Sequence, residues 1–267
     1  MSHSCPRVVR ALAIVAAIAA AGWIPAVRSQ APEHPREFAQ NAEFHFVRLE
    51  YVDLFRSRRG FGGFGRGWWM QDWPEADVHF AQGIRRLTRI DIGEGRHFPI
   101  TDERLFDHPW VYATQVGFWD LSDAETDRLR EYLRRGGFLV VDDFHGPQDW
   151  AVFQSSMQRI LPEQPILEIE DTDPLMHVLY DIGERTQIPG LRHLRLGAGG
   201  SVTVQPQATP PHWRAMHDEK GRLVVAINFN MDIGDAWEHA DLPQYPEEMT
   251  ALAYRFGINY IIYAMTH

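Results

Sequence analysis

The segment GGFLVVDDFHG, residues 136–146, places a short apolar run between a glycine pair and two aspartates. An uninterrupted apolar run of this kind is typical of a strand that is buried on both faces, as in a parallel sheet covered by helices. Just before it, Ser122 is followed three residues later by Glu125, which is the pattern of a capping box. We therefore predict a helix that runs to Arg135 and leads directly into a central strand.

Helices and strands continue to alternate on both sides of this segment. The predicted strands are 44–50, 110–116, 138–141 and 166–169, and the predicted helices are 75–88, 148–161, 173–181 and 246–265. Residues 212–230 predict a hairpin whose second strand, RLVVAINFN, is central. This alternation favours a three-layer α/β sandwich on a mainly parallel sheet, formed by a single domain over residues 44–267.

The first 31 residues are predicted to be a signal peptide. Arg7 and Arg10 precede an uncharged apolar run of 14 residues, 11–24, and the small residues Ser29 and Ala31 suit a cleavage site. A membrane-spanning helix needs about 20 residues. We therefore expect a periplasmic or secreted protein, with an uncleaved N-terminal membrane anchor as the alternative. Residues 32–43 are polar and contain proline, which is typical of a leader before the domain.

Composition excludes several classes of function. A chain of 267 residues with 45% hydrophobic residues is neither a disordered tail nor a disulfide-stapled miniprotein. Its net charge of −10 is unsuited to nucleic acid, whose phosphates require a basic surface. Cleavage after residue 31 would remove three arginines and Cys5, the single cysteine. The mature chain would then carry a charge of −13 and no thiol for a disulfide, a metal or a nucleophile.

The first candidate site is formed by Asp142, Asp143 and His145, which we predict to be catalytic. They follow a buried strand, and ligands of open α/β sheets bind outside the carboxyl ends of the strands. Neighbouring carboxylates can raise each other's pKa for acid–base chemistry, or together bind a hard divalent cation. In the alternative, one aspartate caps the following helix and the other faces water.

The second candidate site is NMDIGDAWEHAD, residues 230–241, which follows the other central strand. Its predicted ligand-binding residues are Asn230, Asp232, Asp235 and Trp237. The spacing does not match an EF-hand loop, and neither His145 nor His239 has a second histidine four residues away, so zinc gains little support. The metal is left unassigned, and a solvated acidic loop is the alternative.

The third candidate is the glycine- and aromatic-rich stretch FGGFGRGWW, residues 61–69. It lacks the helix start and acidic residue of a dinucleotide fingerprint and the Lys-Ser/Thr of a P-loop. Arg66, Trp68 and Trp69 suit a lid, a sugar-stacking surface or a loop that docks a partner protein, unless the aromatic rings fold back onto the core. Asp53, which follows the first strand, is a further ligand-binding candidate. The sequence has no Gly-x-Ser-x-Gly elbow, so a serine hydrolase is not supported.

Several of these stretches recur together in a known family. They are YVDLF (51–55), QDWPEAD (71–77), ERLFDHPWVY (103–112), GGFLVVDDFHG (136–146), NMDIGDAWEHADLPQYP (230–246) and GINYIIYAMTH (257–267). In combination they resemble the bacterial domain-of-unknown-function family 4159 over residues 44–267. The resemblance implies a flavodoxin-like sandwich of the class I glutamine amidotransferase-like type. Active amidotransferases have a cysteine at the strand-to-helix turn, where this sequence has Asp142 and Asp143.

Two functions remain open from the sequence. The first is an exported, hydrolase-like protein that acts on an envelope glycan or amide, with an aspartate as general base or metal ligand. The second is a non-catalytic module that binds a glycan or a protein partner through residues 61–69. Clustered carboxylates at a strand end favour the first function, and the aromatic loop favours the second. A divalent cation is the one cofactor that the residues suggest.

Overall fold

The computed structural model describes residues 38–54, 67–183, 185–196, 202–204 and 210–267. The predicted signal peptide, residues 1–31, and the candidate residue Arg66 lie outside these ranges. None of the helices in the described ranges combines the length and the apolar character that crossing a bilayer requires. The described end of the predicted leader contacts the domain, because Ala39 forms a parallel bridge with Gly93.

Seven strands form the main sheet of the described chain. They are β1 (Val47–Glu50), β2 (Arg96–Pro99), β3 (Trp110–Thr114), β4 (Phe138–Phe144), β5 (Leu167–Glu168), β8 (His212–His217) and β9 (Leu223–Phe229). Their order is β2-β1-β3-β4-β9-β8-β5, and the first five are parallel. The hairpin predicted over residues 212–230 is confirmed, since β8 pairs antiparallel with β9. Two short strands, β6 (Leu194–Leu196) and β7 (Val202–Val204), pair separately.

Helices cover both faces of this sheet. They are α1 (Glu75–Leu87), α2 (Asp123–Arg134), α3 (Gly146–Ile160), α4 (Ile233–Glu238) and α5 (Glu247–Thr266). One buried cluster joins residues of α1, α4 and α5 to one face of the sheet, and a second joins α2 and α3 to the other. Along β4, Val140 belongs to the first cluster, whereas Leu139 and Val141 belong to the second. This arrangement confirms a three-layer α/β sandwich on a mainly parallel sheet.

The capping box predicted before β4 is present. The Ser122 backbone N–H donates to Glu125 Oε2 at 2.8 Å, and the Glu125 N–H donates to Ser122 Oγ at 3.3 Å. The helix ends at Arg134, and Gly136 then adopts a φ of 108°, a backbone conformation that suits glycine. The chain can therefore turn directly into β4, all seven residues of which are buried.

The helix predicted over residues 173–181 is wrong. Only Pro174–Met176 form a single 3₁₀ turn, and the Asp173 carboxylate caps it by accepting from the Leu175 N–H at 2.8 Å. Beyond this turn, Asn259 of α5 binds both backbone groups of Tyr180, accepting from its N–H and donating to its carbonyl. Because a side chain from α5 satisfies this backbone, the segment has no need of helical hydrogen bonds.

Stability is expected to fall in mild acid because of His108, which is buried just before β3. Burial, Arg96 and His45 together lower the pKa of His108 to about 4, while Asp107 acts in the opposite direction. The unfolded chain takes up this proton near pH 6.5 and the folded protein only near pH 4, so the free energy of unfolding decreases between these values. The full shift corresponds to about 3 kcal/mol, and solvent screening is expected to reduce the contribution of His108 to about 1–2 kcal/mol over this interval.

Denaturant unfolding of the wild type and His108→Gln across the same pH interval measures this contribution. The variant is expected to lose less stability on acidification than the wild type, whereas His267→Gln at the exposed C-terminus should match the wild type. An unchanged pH dependence in His108→Gln would contradict the assignment.

Candidate functional site

The polar residues that follow the parallel strands meet at one edge of the sheet. This edge collects the residues after β1, β3, β4 and β9, because these four strands run in the same direction. Four non-glycine residues of the described chain have left-handed backbone there, with φ between 50° and 62°: Asp72, Gln115, Asp143 and Asn230. Such conformations are costly for residues with side chains and concentrate at functional sites. This carboxyl edge is therefore the candidate site.

Asp142 is fully buried and holds α4 against β4. Its Oδ2 accepts from Tyr112 Oη at 3.0 Å and from the backbone N–H groups of Ile233 and Gly234 at 2.9 and 3.0 Å. Burial, followed by the neighbouring Asp143, raises the pKa of Asp142 well above its ordinary value. The alternative considered from the sequence was that one aspartate caps the following helix. Asp142 does cap a helix, but this helix is α4 and not α3.

Asp143 and His145 form a paired carboxylate and imidazole. Asp143 is buried, and its Oδ1 lies 2.9 Å from His145 Nε2 and 3.3 Å from Arg192 Nη2. Its Oδ2 accepts from Gln115 Nε2, which comes from the turn after β3. The His145 side chain is 19% exposed and so connects the buried carboxylate to the surface. A carboxylate that orients a partly exposed imidazole is an arrangement suited to general acid–base chemistry.

Basic side chains surround the opening of this pair. Arg192 has a 55% exposed side chain, and the His193 ring lies 6.0 Å from that of His145. Burial and the adjacent Arg192 lower the pKa of His193 below its usual range. Arg192 can therefore present a positive charge to an electron-rich oxygen of a ligand, above a floor of carboxylates, whereas the lowered pKa favours the neutral form of His193.

The wall opposite Asp143 is formed by α4. Asp232 caps this helix, since its Oδ1 accepts from the Asp235 N–H at 2.9 Å, and both carboxylates are buried. Asp72, just before α1, joins them, with carboxylate oxygens of the three residues within 4.8 Å of one another. Burial and then neighbouring carboxylates raise the pKa values of Asp72 and Asp232 well above their ordinary range. The solvated acidic loop considered from the sequence is therefore wrong for Asp232 and Asp235, whereas Asp241 in the same stretch is exposed.

Two other predicted ligand-binding residues maintain the scaffold. Asn230 Oδ1 accepts from the Gly146 N–H at 2.9 Å, and its Nδ2 donates to the Pro210 carbonyl at 2.8 Å, which joins the end of β9 to the start of α3. Trp237 is fully buried and stacks on Phe80 with ring centroids 4.0 Å apart. Its ring packs in the core and is not accessible to a ligand from solvent.

Residues 67–69, the described end of the glycine- and aromatic-rich stretch, pack against the rest of the domain. Asp53 Oδ2 accepts from the Trp68 N–H at 3.4 Å, and the Trp68 ring stacks on Phe118 at 4.7 Å. The Trp69 ring is half-buried and lies 5.4 Å from the ring of His97. Asp53 and Trp68 therefore meet after the carboxyl end of β1, while Arg66 is not among the described residues.

A family model for a domain of unknown function, DUF4159, matches residues 45–265, which include every site residue described above. The chain belongs to the DUF4159 family. The resemblance to family 4159 that was inferred from the sequence motifs is thereby confirmed. No curated protein sequence matches the chain.

Several residues of this DUF4159 site were not predicted. Arg48 donates to the backbone carbonyls of Trp69 and Gln71, next to Asp72. In the predicted strand 44–50 it alternates with Phe44 and Phe46, which are buried, so this alternation was a usable signal for a buried arginine. Asp72 lies in a turn within the family motif QDWPEAD, but no spacing there indicated a ligand. Arg192 lies in a glycine- and proline-rich stretch, and nothing in the local sequence connects it to Asp143.

Proposed function

We propose that this DUF4159 chain is an exported, hydrolase-like protein that cleaves a glycan or amide bond of the cell envelope at the carboxyl edge of its sheet. The proposal is supported chiefly by the contact between Asp143 and His145, in which a buried carboxylate holds a partly exposed imidazole. Export rests on the predicted signal peptide, with an N-terminally anchored form as the alternative. The absence of cysteine after residue 5 directs the chemistry to carboxylates and histidine.

The chemistry of this pair can be derived from its hydrogen bond. In the tautomer in which His145 donates from Nε2 to the Asp143 carboxylate, the basic nitrogen of the neutral ring is Nδ1. This nitrogen takes a proton from water as the water oxygen bonds to the carbonyl or anomeric carbon of the substrate. At a carbonyl carbon, the imidazolium returns this proton to the leaving nitrogen as the carbon–nitrogen bond breaks. At an anomeric carbon the leaving oxygen departs from the face opposite the water, so His145 would act only as the base and a second acid would have to supply the proton.

Asp143 and Arg192 have separate roles in this step. Asp143 orients the ring and stabilises the imidazolium that forms, so it acts as a positioning residue. Arg192 lies 3.3 Å from Asp143, with more than half of its side chain exposed, and can stabilise negative charge that develops on a substrate oxygen.

The strand order supports a finer description of the fold. The five parallel strands, counted along the chain, follow the order 2-1-3-4-5 that is characteristic of flavodoxin-like sheets, in which ligands bind between the first and third strands. Tyr51, Gln115 and Asp53 lie at this position, beside Asp143. We therefore propose a flavodoxin-like, class I glutamine amidotransferase-like sandwich whose nucleophile position is taken by Asp142 and Asp143.

The test is product release from purified envelope material and from synthetic amide and glycoside substrates, followed by mass spectrometry. We expect the purified wild type to release defined products above the level of a heat-inactivated sample. Absence of release from every substrate class would overturn the proposal.

A second candidate, a non-catalytic glycan- or protein-binding module, is supported by an aromatic patch of Trp69, Trp73 and His97. Their ring centroids are 5.4–6.4 Å apart, Trp69 and Trp73 are half-buried and His97 is exposed. A patch of this kind can stack on a sugar ring or on an apolar side chain of a partner.

We expect Trp73→Ala to weaken binding to immobilised envelope glycan several-fold, up to about tenfold, if the patch binds sugar. Binding is measured by pull-down and calorimetry. His145→Gln serves as the matched control, because it alters the proposed catalytic pair and leaves the patch intact. Equal binding by Trp73→Ala and the wild type would contradict this second function.

A further inference from the structure

Three carboxylates at the carboxyl edge come from separate parts of the chain and converge. Asp72 precedes α1, whereas Asp232 and Asp235 lie at the start of α4. Each offers an oxygen within 4.8 Å of the other two, and all three residues are buried. A set of three buried carboxylate oxygens at this separation has the geometry of a ligand set for a cation.

One of these oxygens has no partner in the described structure. Asp72 is only 7% exposed, its Oδ1 accepts from Gln71 Nε2, and its Oδ2 is buried without a hydrogen bond from any described residue. This oxygen points towards α4, because a Cβ placed on Gly234 would lie 2.7 Å from it and 3.6 Å from Asp232 Oδ1. A buried carboxylate oxygen without a donor is costly unless an unseen partner satisfies it.

Glycines leave the space around the carboxylates open. A Cβ on Gly190 would lie 2.5 Å from Asp232 Oδ2 and 3.0 Å from Asp235 Oδ2, so a side chain at this position would crowd both oxygens. Together, Gly190 and Gly234 form a cradle in which oxygens of all three aspartates approach one another without obstruction.

Two nearby aspartates outside this cluster are each paired with an arginine. Asp143 is paired with Arg192, and Asp77 with Arg48. In the described part of the chain, by contrast, no arginine or lysine nitrogen lies within 4.0 Å of Asp72, Asp232 or Asp235, and only His239 approaches Asp235, at 3.8 Å. Three buried like charges repel one another strongly in a medium of low dielectric constant, and a divalent cation would remove this repulsion.

We infer that Asp72, Asp232 and Asp235 bind one hard divalent cation, of the Mg²⁺, Mn²⁺ or Ca²⁺ class. Carboxylate oxygens prefer these ions, whereas zinc and copper favour nitrogen and sulfur ligands. The cation joins α4 to the segment before α1 and lies beside Asp143. The inference goes beyond the proposed function, since cation binding does not require turnover.

A second, less buried group of possible ligands shares Asp235 with the proposed site and would favour a different metal. Asp235 is also close to Glu238 and His239, whose side chains are only partly buried. This second set contains an imidazole and would favour zinc. The inference commits to the buried set, so His239→Gln should not affect binding of Mn²⁺.

The experiment titrates chelator-treated protein with Mn²⁺ and measures the free ion by electron paramagnetic resonance, with Mg²⁺ and Ca²⁺ as competitors. The wild type is expected to bind one Mn²⁺ per chain. Asp232→Asn should weaken binding at least tenfold, and asparagine remains a good helix cap, so α4 is preserved. Gly234→Ala keeps all three ligands but displaces Asp72 Oδ2, and should also weaken binding.

Two control variants should bind within twofold of the wild type. They are His239→Gln and Asp241→Asn, which removes an exposed negative charge close to α4. Circular dichroism and cooperative unfolding verify that each variant is folded. Absence of Mn²⁺ binding by the wild type up to about 5 mM would overturn the inference, as would wild-type affinity in both Asp232→Asn and Gly234→Ala.

Failure of this inference is distinguishable from failure of the proposed function. The titration contains no substrate, so a protein that binds Mn²⁺ but releases no product retains the cation site and loses the hydrolase proposal. A protein that releases product but binds no cation retains the hydrolase proposal and loses the cation site.

Discussion

Replacing Arg48 by methionine is expected to destabilise the protein by about 3–5 kcal/mol. Arg48 is fully buried, and its guanidinium is paired with Asp77 of α1. It also donates to the carbonyl oxygens of Trp69 and Gln71 at 3.2 and 2.9 Å. Methionine preserves much of the volume but leaves the Asp77 carboxylate and two carbonyls without their donor, and such uncompensated burial is costly.

Denaturant unfolding of the single and double variants measures this effect. Arg48→Met/Asp77→Leu should recover part of the loss, because it removes the carboxylate that the single variant leaves unpaired. Arg104→Met removes an exposed ion pair with Asp102 and should leave the midpoint nearly unchanged. A loss of less than about 1 kcal/mol in Arg48→Met would contradict the role assigned to this arginine.

Arg48 also connects the fold to the site. The carbonyls to which Arg48 donates belong to the segment immediately before Asp72. Arg48 therefore fixes the position of the Asp72 carboxylate at the carboxyl edge. Loss of Arg48 is therefore expected to weaken cation binding at the proposed Asp72, Asp232 and Asp235 site even in conditions where the protein remains folded.

Replacing His145 by glutamine is expected to lower the rate of hydrolysis by about 10²–10⁴-fold, the usual contribution of a general base. Glutamine can still donate a hydrogen bond to Asp143 but cannot take a proton from water. Since binding of substrate does not depend on this proton transfer, the loss is expected in kcat more than in KM. Initial rates on the best substrate of the envelope screen provide the measurement.

His193→Gln is the matched control for this variant. The His193 ring lies 6.0 Å from that of His145 and does not contact Asp143 in the described hydrogen bonds and ion pairs, so its loss should change the rate only a few-fold. A His145→Gln enzyme as active as the wild type would contradict the assignment of the base.

The order of helices and strands was largely predictable, and the reasons are local. The capping box at Ser122, the glycine pair at 136–137 and the apolar run of β4 each restrict the backbone within a few residues. The helix expected over 173–181 failed for the opposite reason. Its backbone is satisfied by Asn259, a residue of α5 that no local pattern connects to it.

The candidate site was predictable only in part. Asp142 and Asp143 lie at the end of β4, which runs three residues beyond the strand predicted over 138–141, and His145 follows it. Their position at the carboxyl edge follows from the parallel sheet. Their different environments do not follow from sequence, because Asp142 is fixed by the start of α4 and Asp143 by Gln115 and Arg192. These partners are distant along the chain.

The short helix α4 was not predicted, because the acidic residues of 230–241 indicated either ligands or a solvated loop. Ile233, Ala236 and Trp237 have the spacing of an apolar helix face and are all buried. Because this apolar face is buried, the adjacent Asp232 and Asp235 are buried with it. Packing of an apolar face, and not the carboxylates themselves, therefore determines that these charges are buried.

The central claim is that the carboxyl edge is a reactive site organised by Asp143 and His145. Product release from purified envelope material, compared side by side for the wild type and Asp143→Asn by mass spectrometry, tests it most directly. We predict defined products from the wild type and a rate at least about 100-fold lower in the variant, because asparagine cannot stabilise the imidazolium. Equal release by the two proteins, or none from the wild type, would contradict the claim.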